Sequence, residues 1–285
     1  MALEGRLRGP AGSGAVLARA RQLLVFERFL ARVFYVLGDT VTLKGGLVLE
    51  FRLDRARTTK DVDLRWMGAA EDMLERLQGA GRLDFGDFMH FEIERNRKRP
   101  EIDGDGAVYG GQRFVAKCLL GNEPYGNPFG VDVGVGEPML GAPEIMEAVD
   151  RLGFVGIPPP QFRVYPVETH VAEKLHAYTL PRAGVNGRVK DLPDLALLAQ
   201  VRTLERTRVD QALQQTFGFR ASHEIPTELP EPPSVWATPY AALAREHHLP
   251  WGTLEAVAAA ARAFLNPVLQ RKAQTTWDPV AWSWR

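Results

Sequence analysis

Cysteine is nearly missing from this sequence: Cys118 stands alone among 285 residues. One thiol cannot close an internal disulfide, so a reducing compartment is expected, with the cytoplasm as the simplest home. Without further cysteines or a pair of histidines at ligand spacing, a structural zinc site is excluded as well. No apolar run approaches the roughly 18 residues that a membrane span requires. Arg6 and Arg8 near the start are not followed by an apolar stretch, so no secretory leader is expected. Net charge is also lacking, with 35 Lys and Arg against 35 Asp and Glu. That excludes a protein that grips nucleic acid by bulk charge, and leaves a local basic patch open. Internal repeats and low-complexity tracts are absent too.

What is present is the composition of an ordinary globular chain, 45% apolar and 25% charged, long enough for one large domain or two average ones. Prolines gather at Pro138, Pro143 and Pro158 to Pro160. Such density marks a connection, and it predicts a boundary within 153–160, giving domains 1–155 and 156–285. Before it, periodicity predicts helices over 16–37, 45–53 and 71–77, with strands over 40–43, 61–67, 85–94, 112–119 and 129–135. After it come helices over 166–178, 188–198, 203–217, 240–245 and 254–265, interrupted by an irregular stretch over 222–239. The expected class is α+β: a mixed sheet with helices, followed by a mainly helical domain. Trp277, Trp282 and Trp284 crowd the last residues, and are expected to pack onto the body or a partner.

The chemistry concentrates between Lys44 and Leu64. Gly45-Gly46 follows an apolar segment, and glycines there let backbone N–H groups approach a phosphate closely. Asp61-Val62-Asp63-Leu64 closes the stretch. On a strand, side chains alternate, so both carboxylates face one way and Val62 and Leu64 the other. Two carboxylates on one face repel unless a cation compensates. Magnesium suits them, since it takes one or two carboxylates together with substrate phosphates and water. The competing reading is a surface acid pair beside Arg57 and Lys60. Arg55, Arg57 and Lys60 themselves are either a solvated loop or a phosphate-steering patch.

Further candidates lie downstream. Asp132, between Val131 and Val133, is a third strand carboxylate, or an exposed one without a role. Lys174 sits on an otherwise apolar helix, where it can reach a triphosphate as a point charge or snorkel to solvent. Asp191 and Asp194 are helix neighbours that serve either the site or a capping box with Pro193 in the first turn. His170 and His176 read as packing or surface residues.

A glycine turn, a helix and Asp-x-Asp on a strand resemble the DNA polymerase β-like nucleotidyltransferases, with Gly46 where Ser is usual. Taken with Arg57-Thr58-Thr59-Lys60-Asp61-Val62-Asp63, Glu173-Lys174-Leu175-His176-Ala177 and Lys190-Asp191-Leu192-Pro193-Asp194, the order and spacing resemble the AbiEii/AbiGii-type nucleotidyltransferase toxins of type IV toxin–antitoxin and phage-defence systems. The match runs from about Arg21 to about Gln200. It implies a two-lobed fold, Mg²⁺, a nucleoside triphosphate, a tRNA 3′ end as acceptor in some members, and a cognate antitoxin. By residue, it implies Asp61 and Asp63 on metal, Lys174 on the triphosphate, and Asp191 or Asp194 completing the site. Lys44, Gly45, Gly46, Arg57, Thr59 and Asp194 fall on the nucleotide side, and Asp132 or Asp191 beside the acceptor hydroxyl. Two alternatives stay open: a small-molecule or protein acceptor, and a nucleotide-binding module without turnover. Nothing beyond Phe217 enters the resemblance.

Overall fold

A computed structural model of the chain describes residues 2–8, 14–53, 56–69, 71–102, 110–182, 184 and 186–285. Arg55 and residues 103–109 fall outside this set. The elements follow in chain order. α1 (Ala2–Arg8) and α2 (Gly14–Leu37) lead into β1 (Val41–Lys44), α3 (Gly46–Arg52), β2 (Asp61–Trp66) and α4 (Met73–Gly81). Four strands come next: β3 (Met89–Arg95), β4 (Gly111–Leu120), β5 (Glu123–Pro124) and β6 (Phe129–Val135). β7 (Glu144–Glu147) and β8 (Gln161–Val164) precede α5 (Val167–Thr179), α6 (Asp191–Gln200), β9 (Leu204–Glu205) and α7 (Arg206–Arg220). α8 (Ala237–Glu246), α9 (Leu254–Leu269), β10 (Thr276–Asp278) and β11 (Ser283–Trp284) finish the chain. The architecture is a mixed α/β sheet with helices, followed by a mainly helical half.

The sheet runs β3-β4-β6-β2-β1-β8-β7, with β5 beside β4. Its centre mixes directions: β2 pairs parallel with β6 and antiparallel with β1, while β1 pairs parallel with β8. β7 and β8 are not apparent in the sequence. β8 follows Pro158 to Pro160 directly, and its four residues carry the sheet beyond residue 155, into the half expected to be mainly helical.

Alternation explains which face of the sheet is covered. Val62, Leu64 and Trp66 of β2 are buried, as are Met89, Phe91 and Ile93 of β3. They pack beneath α2, whose Leu24, Val25, Phe26, Phe29, Leu30 and Val33 form one stripe at helical spacing. A second cluster joins α5, α6, α7 and α9. α3 touches both, giving Leu47 and Val48 to the sheet cluster and Leu49 to the helical one. The glycine turn that starts α3 therefore sits where the two cores meet. The tryptophan tail packs on the body: Trp277 is fully buried, and its indole N–H donates to the Ala199 carbonyl at 2.8 Å. Trp282 and Trp284 donate to the carbonyls of Ala260 and Phe264. Among the described residues no helix is long and apolar enough to cross a membrane.

Candidate active site

Register builds the first wall. Lys44 of β1 lies opposite Asp63 of β2, Asp63 opposite Asp132 of β6, and Asp132 opposite Arg113 of β4. Residues directly opposite in a sheet share a face. Four strands thus present one row: cation, carboxylate, carboxylate, cation. Asp61, two residues before Asp63, faces the same way over Gly130, where any Cβ would press on its carboxylate. Lys44 is held from outside the row, its Nζ pairing with Glu137 and lying 3.8 Å from Glu173 Oε1, whereas Arg113 Nε donates within the row, to Asp132 at 3.1 Å.

The two central carboxylates feel each other. Burial, then repulsion from Asp132, pushes the Asp63 carboxyl up to about 6, against the pull of Lys44 and Lys174, with Asp61 adding to the rise. Asp132 is raised as well, first by burial, although Arg113 opposes it. Asp61 and Asp63 share one face, and two carboxylates are the oxygen ligands that a hard divalent cation takes together with phosphate and water. Among the described residues no group of three or more His, Cys, Asp or Glu could hold a metal ion by itself. Magnesium does not need one, because phosphate oxygens and water fill its remaining positions.

Gly45 closes this wall. Its φ of 72° lies in the left-handed region, and a Cβ placed on it would overlap the Asp63 carboxylate. Gly46 starts α3, and a Cβ there would come within 3.2 Å of Arg57 and 3.3 Å of Thr59 Oγ1. We expect Gly45→Ala to lower transfer activity by about a hundredfold, by displacing Asp63, and to cost about 1–3 kcal/mol of stability. Activity at wild-type level, with a denaturant midpoint that does not fall, would show that the turn tolerates the methyl.

The second wall comes from the helical half. Lys174 on α5 reaches Asp191 at 3.0 Å and Asp194 at 2.8 Å. Arg57 takes both oxygens of Asp194 at 2.8 Å each. Despite its burial, Asp194 is therefore held well below the usual carboxylate range, by Lys174 first and Arg57 next. Lys174 is raised by Asp191 and Asp194 against its own burial, so it stays charged at any ordinary pH. Asp191 is the first residue of α6 and Lys190 holds the N-cap position without a side-chain bond. The two aspartates consequently pair sideways instead of forming a capping box, and both sit in the first turn, where the helix dipole favours negative charge. Asp191 Oδ2 has no hydrogen-bond partner, and the Arg188 guanidinium lies 3.7 Å from it.

Between the walls lies a cavity of about 750 Å³. Lys44, Gly45, Asp63, Asp132, Lys174 and Asp191 all line it. Gly46, Arg57, Thr59 and Asp194 lie behind its surface, bonded to one another or to the scaffold; Thr59 N–H, for instance, donates to Glu50 at 3.1 Å. Asp61 stands exposed at the edge. Several lining residues escaped sequence reasoning: Arg113, Glu137, Arg220 and, as a cavity residue, His170. Only pairing across distant strands and helices reveals them.

A family model described as the nucleotidyl transferase AbiEii toxin of type IV toxin–antitoxin systems matches residues 28–267. No curated protein sequence matches. Among solved structures, MenT4, a nucleotidyltransferase toxin from Mycobacterium tuberculosis H37Rv, is similar in fold at 18% identity and a TM-score of 0.56, over 76% of this chain and 70% of that one. JHP933 from Helicobacter pylori aligns at 13% identity and a TM-score of 0.44, over 88% of this chain and 93% of that one. A nucleotidyltransferase structure from the same organism aligns at 12% and 0.43, over 88% and 96%.

Proposed function

The chain belongs to the nucleotidyl transferase AbiEii toxin family of type IV toxin–antitoxin systems, and from that premise we propose that it moves a nucleoside monophosphate from a nucleoside triphosphate onto a hydroxyl of RNA, the 3′ end of tRNA being the candidate acceptor. The observation that carries this reading is the meeting of the Asp63–Asp132 row with Lys174 and Asp191 across one cavity.

Asp61 and Asp63 would hold Mg²⁺, with Asp132 beside them. A bound ion supplies Lewis-acid stabilisation of phosphoryl oxygens. The backbone at Gly45 and the ammonium groups of Lys44 and Lys174 receive the triphosphate. The acceptor oxygen attacks the α-phosphorus in line, the α–β anhydride bond breaks, and pyrophosphate leaves. Negative charge grows on that leaving group, and Lys174, fixed between Asp191 and Asp194, faces it without reorganising. The hydroxyl proton passes to Asp191, whose Oδ2 has room for it, or to Asp132. Arg57 works at one remove, fixing Asp194 and through it Lys174.

Lys98, Arg99, Arg113, Arg188 and Arg220 border the cavity. Glu101, Glu137 and Glu173 border it too, so the rim is mixed in charge, and the cations among them give a polyanionic acceptor groups to pair with. A cognate antitoxin is the partner that the family implies. Incubation with total tRNA and each α-labelled triphosphate in turn is expected to label tRNA. Pyrophosphate release without labelled RNA over any RNA pool would overturn the acceptor assignment.

A further inference from the structure

His170 stands out in the cavity wall. It lies on α5 one turn before Lys174, lines the cavity, and is 1% exposed. Neither ring nitrogen has a hydrogen-bond partner. Buried polar groups are nearly always bonded, since an unpaired one costs about 1–3 kcal/mol. An apolar side chain of similar size would avoid that cost, so its retention calls for a partner that arrives later. The surroundings specify the partner's charge. Burial, then the cations Lys174, Arg52 and Lys44, hold the ring neutral, its protonation falling to about 3, with Asp194 as the opposing group. A neutral imidazole offers one N–H donor, and neighbours that repel added positive charge attract negative charge.

We propose that His170 is a positioning residue for the nucleotide: its ring N–H donates to an oxygen of the triphosphate chain at the buried end of the cavity. The inference rests on the nucleotidyl-transfer reading and adds a phosphate contact to it. With so little of the ring open, a ligand meets it only where Lys174 is also in reach. Lys174 then supplies charge and His170 direction, the geometric restraint that a flexible ammonium lacks.

This arrangement separates binding from stability. Replacing the ring by Leu removes an unpaired polar group, so the ligand-free His170→Leu protein should unfold at the same temperature or about 2 °C higher. Its affinity for nucleoside triphosphate, and equally for inorganic tripolyphosphate, should fall about tenfold or more in calorimetry with Mg²⁺ present. His170→Asn, which keeps an N–H, should recover part of that loss. Unchanged affinity in both variants overturns the contact while leaving nucleotidyl transfer standing. A weakened nucleotide with unaffected tripolyphosphate would move the contact to base or ribose and overturn the phosphate assignment. A sharp fall in the melting temperature of both variants would make the ring a packing group and overturn it too. Wild-type protein that binds no triphosphate removes the functional reading itself.

Discussion

Asp63→Asn is expected to reduce transfer of label from an α-labelled triphosphate to RNA by at least about a thousandfold, while the protein stays folded. Asn keeps the shape and loses the charge that would hold a divalent ion. The structure makes this substitution informative because Asp63 is a poor contributor to the fold. It is half-buried between Asp61 and Asp132, both of which disfavour its ionised form. Removing its charge relieves that repulsion, so the melting temperature without metal should hold or rise. Loss of activity with preserved stability separates a functional carboxylate from a structural one. Undiminished labelling would remove Asp63 from the chemistry, and with it the metal assignment.

Lys174→Met should fail in both respects. It strips Asp191 of its closest cation and leaves Asp194 to Arg57 alone. Uncompensated buried carboxylates are expensive, and a loss of about 3 kcal/mol is expected in urea unfolding. The loss should depend on pH. Asp194 has a depressed carboxyl in the folded state, so its stabilisation is present above the ordinary carboxylate range and disappears as pH falls through and below about 4. Lys174 is raised, so its share persists at neutral pH and fades only above about 10, where the unfolded ammonium begins to lose its proton. The gap between wild type and variant should thus be widest between these limits. Adding Asp191→Asn should restore part of the stability and none of the activity. A gap that ignores pH would mean that Lys174 contributes packing and not charge.

What the sequence made legible follows from range. Asp61-Val62-Asp63-Leu64 declares its facing within four residues, because strand alternation is local. The Gly45 turn is local too, and so is the helix carrying Lys174. Asp132 reads only as a strand carboxylate. That it stands beside Asp63 depends on a parallel pairing of β2 with β6, which three other strands separate in the chain. Arg113 is invisible for the same reason, as one of many arginines until β4 settles against β6. Asp191 and Asp194 illustrate how a local explanation can mislead. Their spacing suits a capping box, yet Lys174 and Arg57, from elements remote in the chain, claim both side chains. The strand β8 hides behind prolines whose density marks a connection. His170 looked like packing because nothing nearby in sequence tells a paired ring from an unpaired one.

The row of four charges is assembled from β1, β2, β4 and β6, and is faced by residues of α5 and α6. No early fragment of the chain holds more than one side of it. Until α5 has been synthesised, the emerging polypeptide can form the strands of that row but has neither Lys174 nor Asp191 to set against them. The cavity therefore stays without its second wall until α5 and the start of α6 have been made.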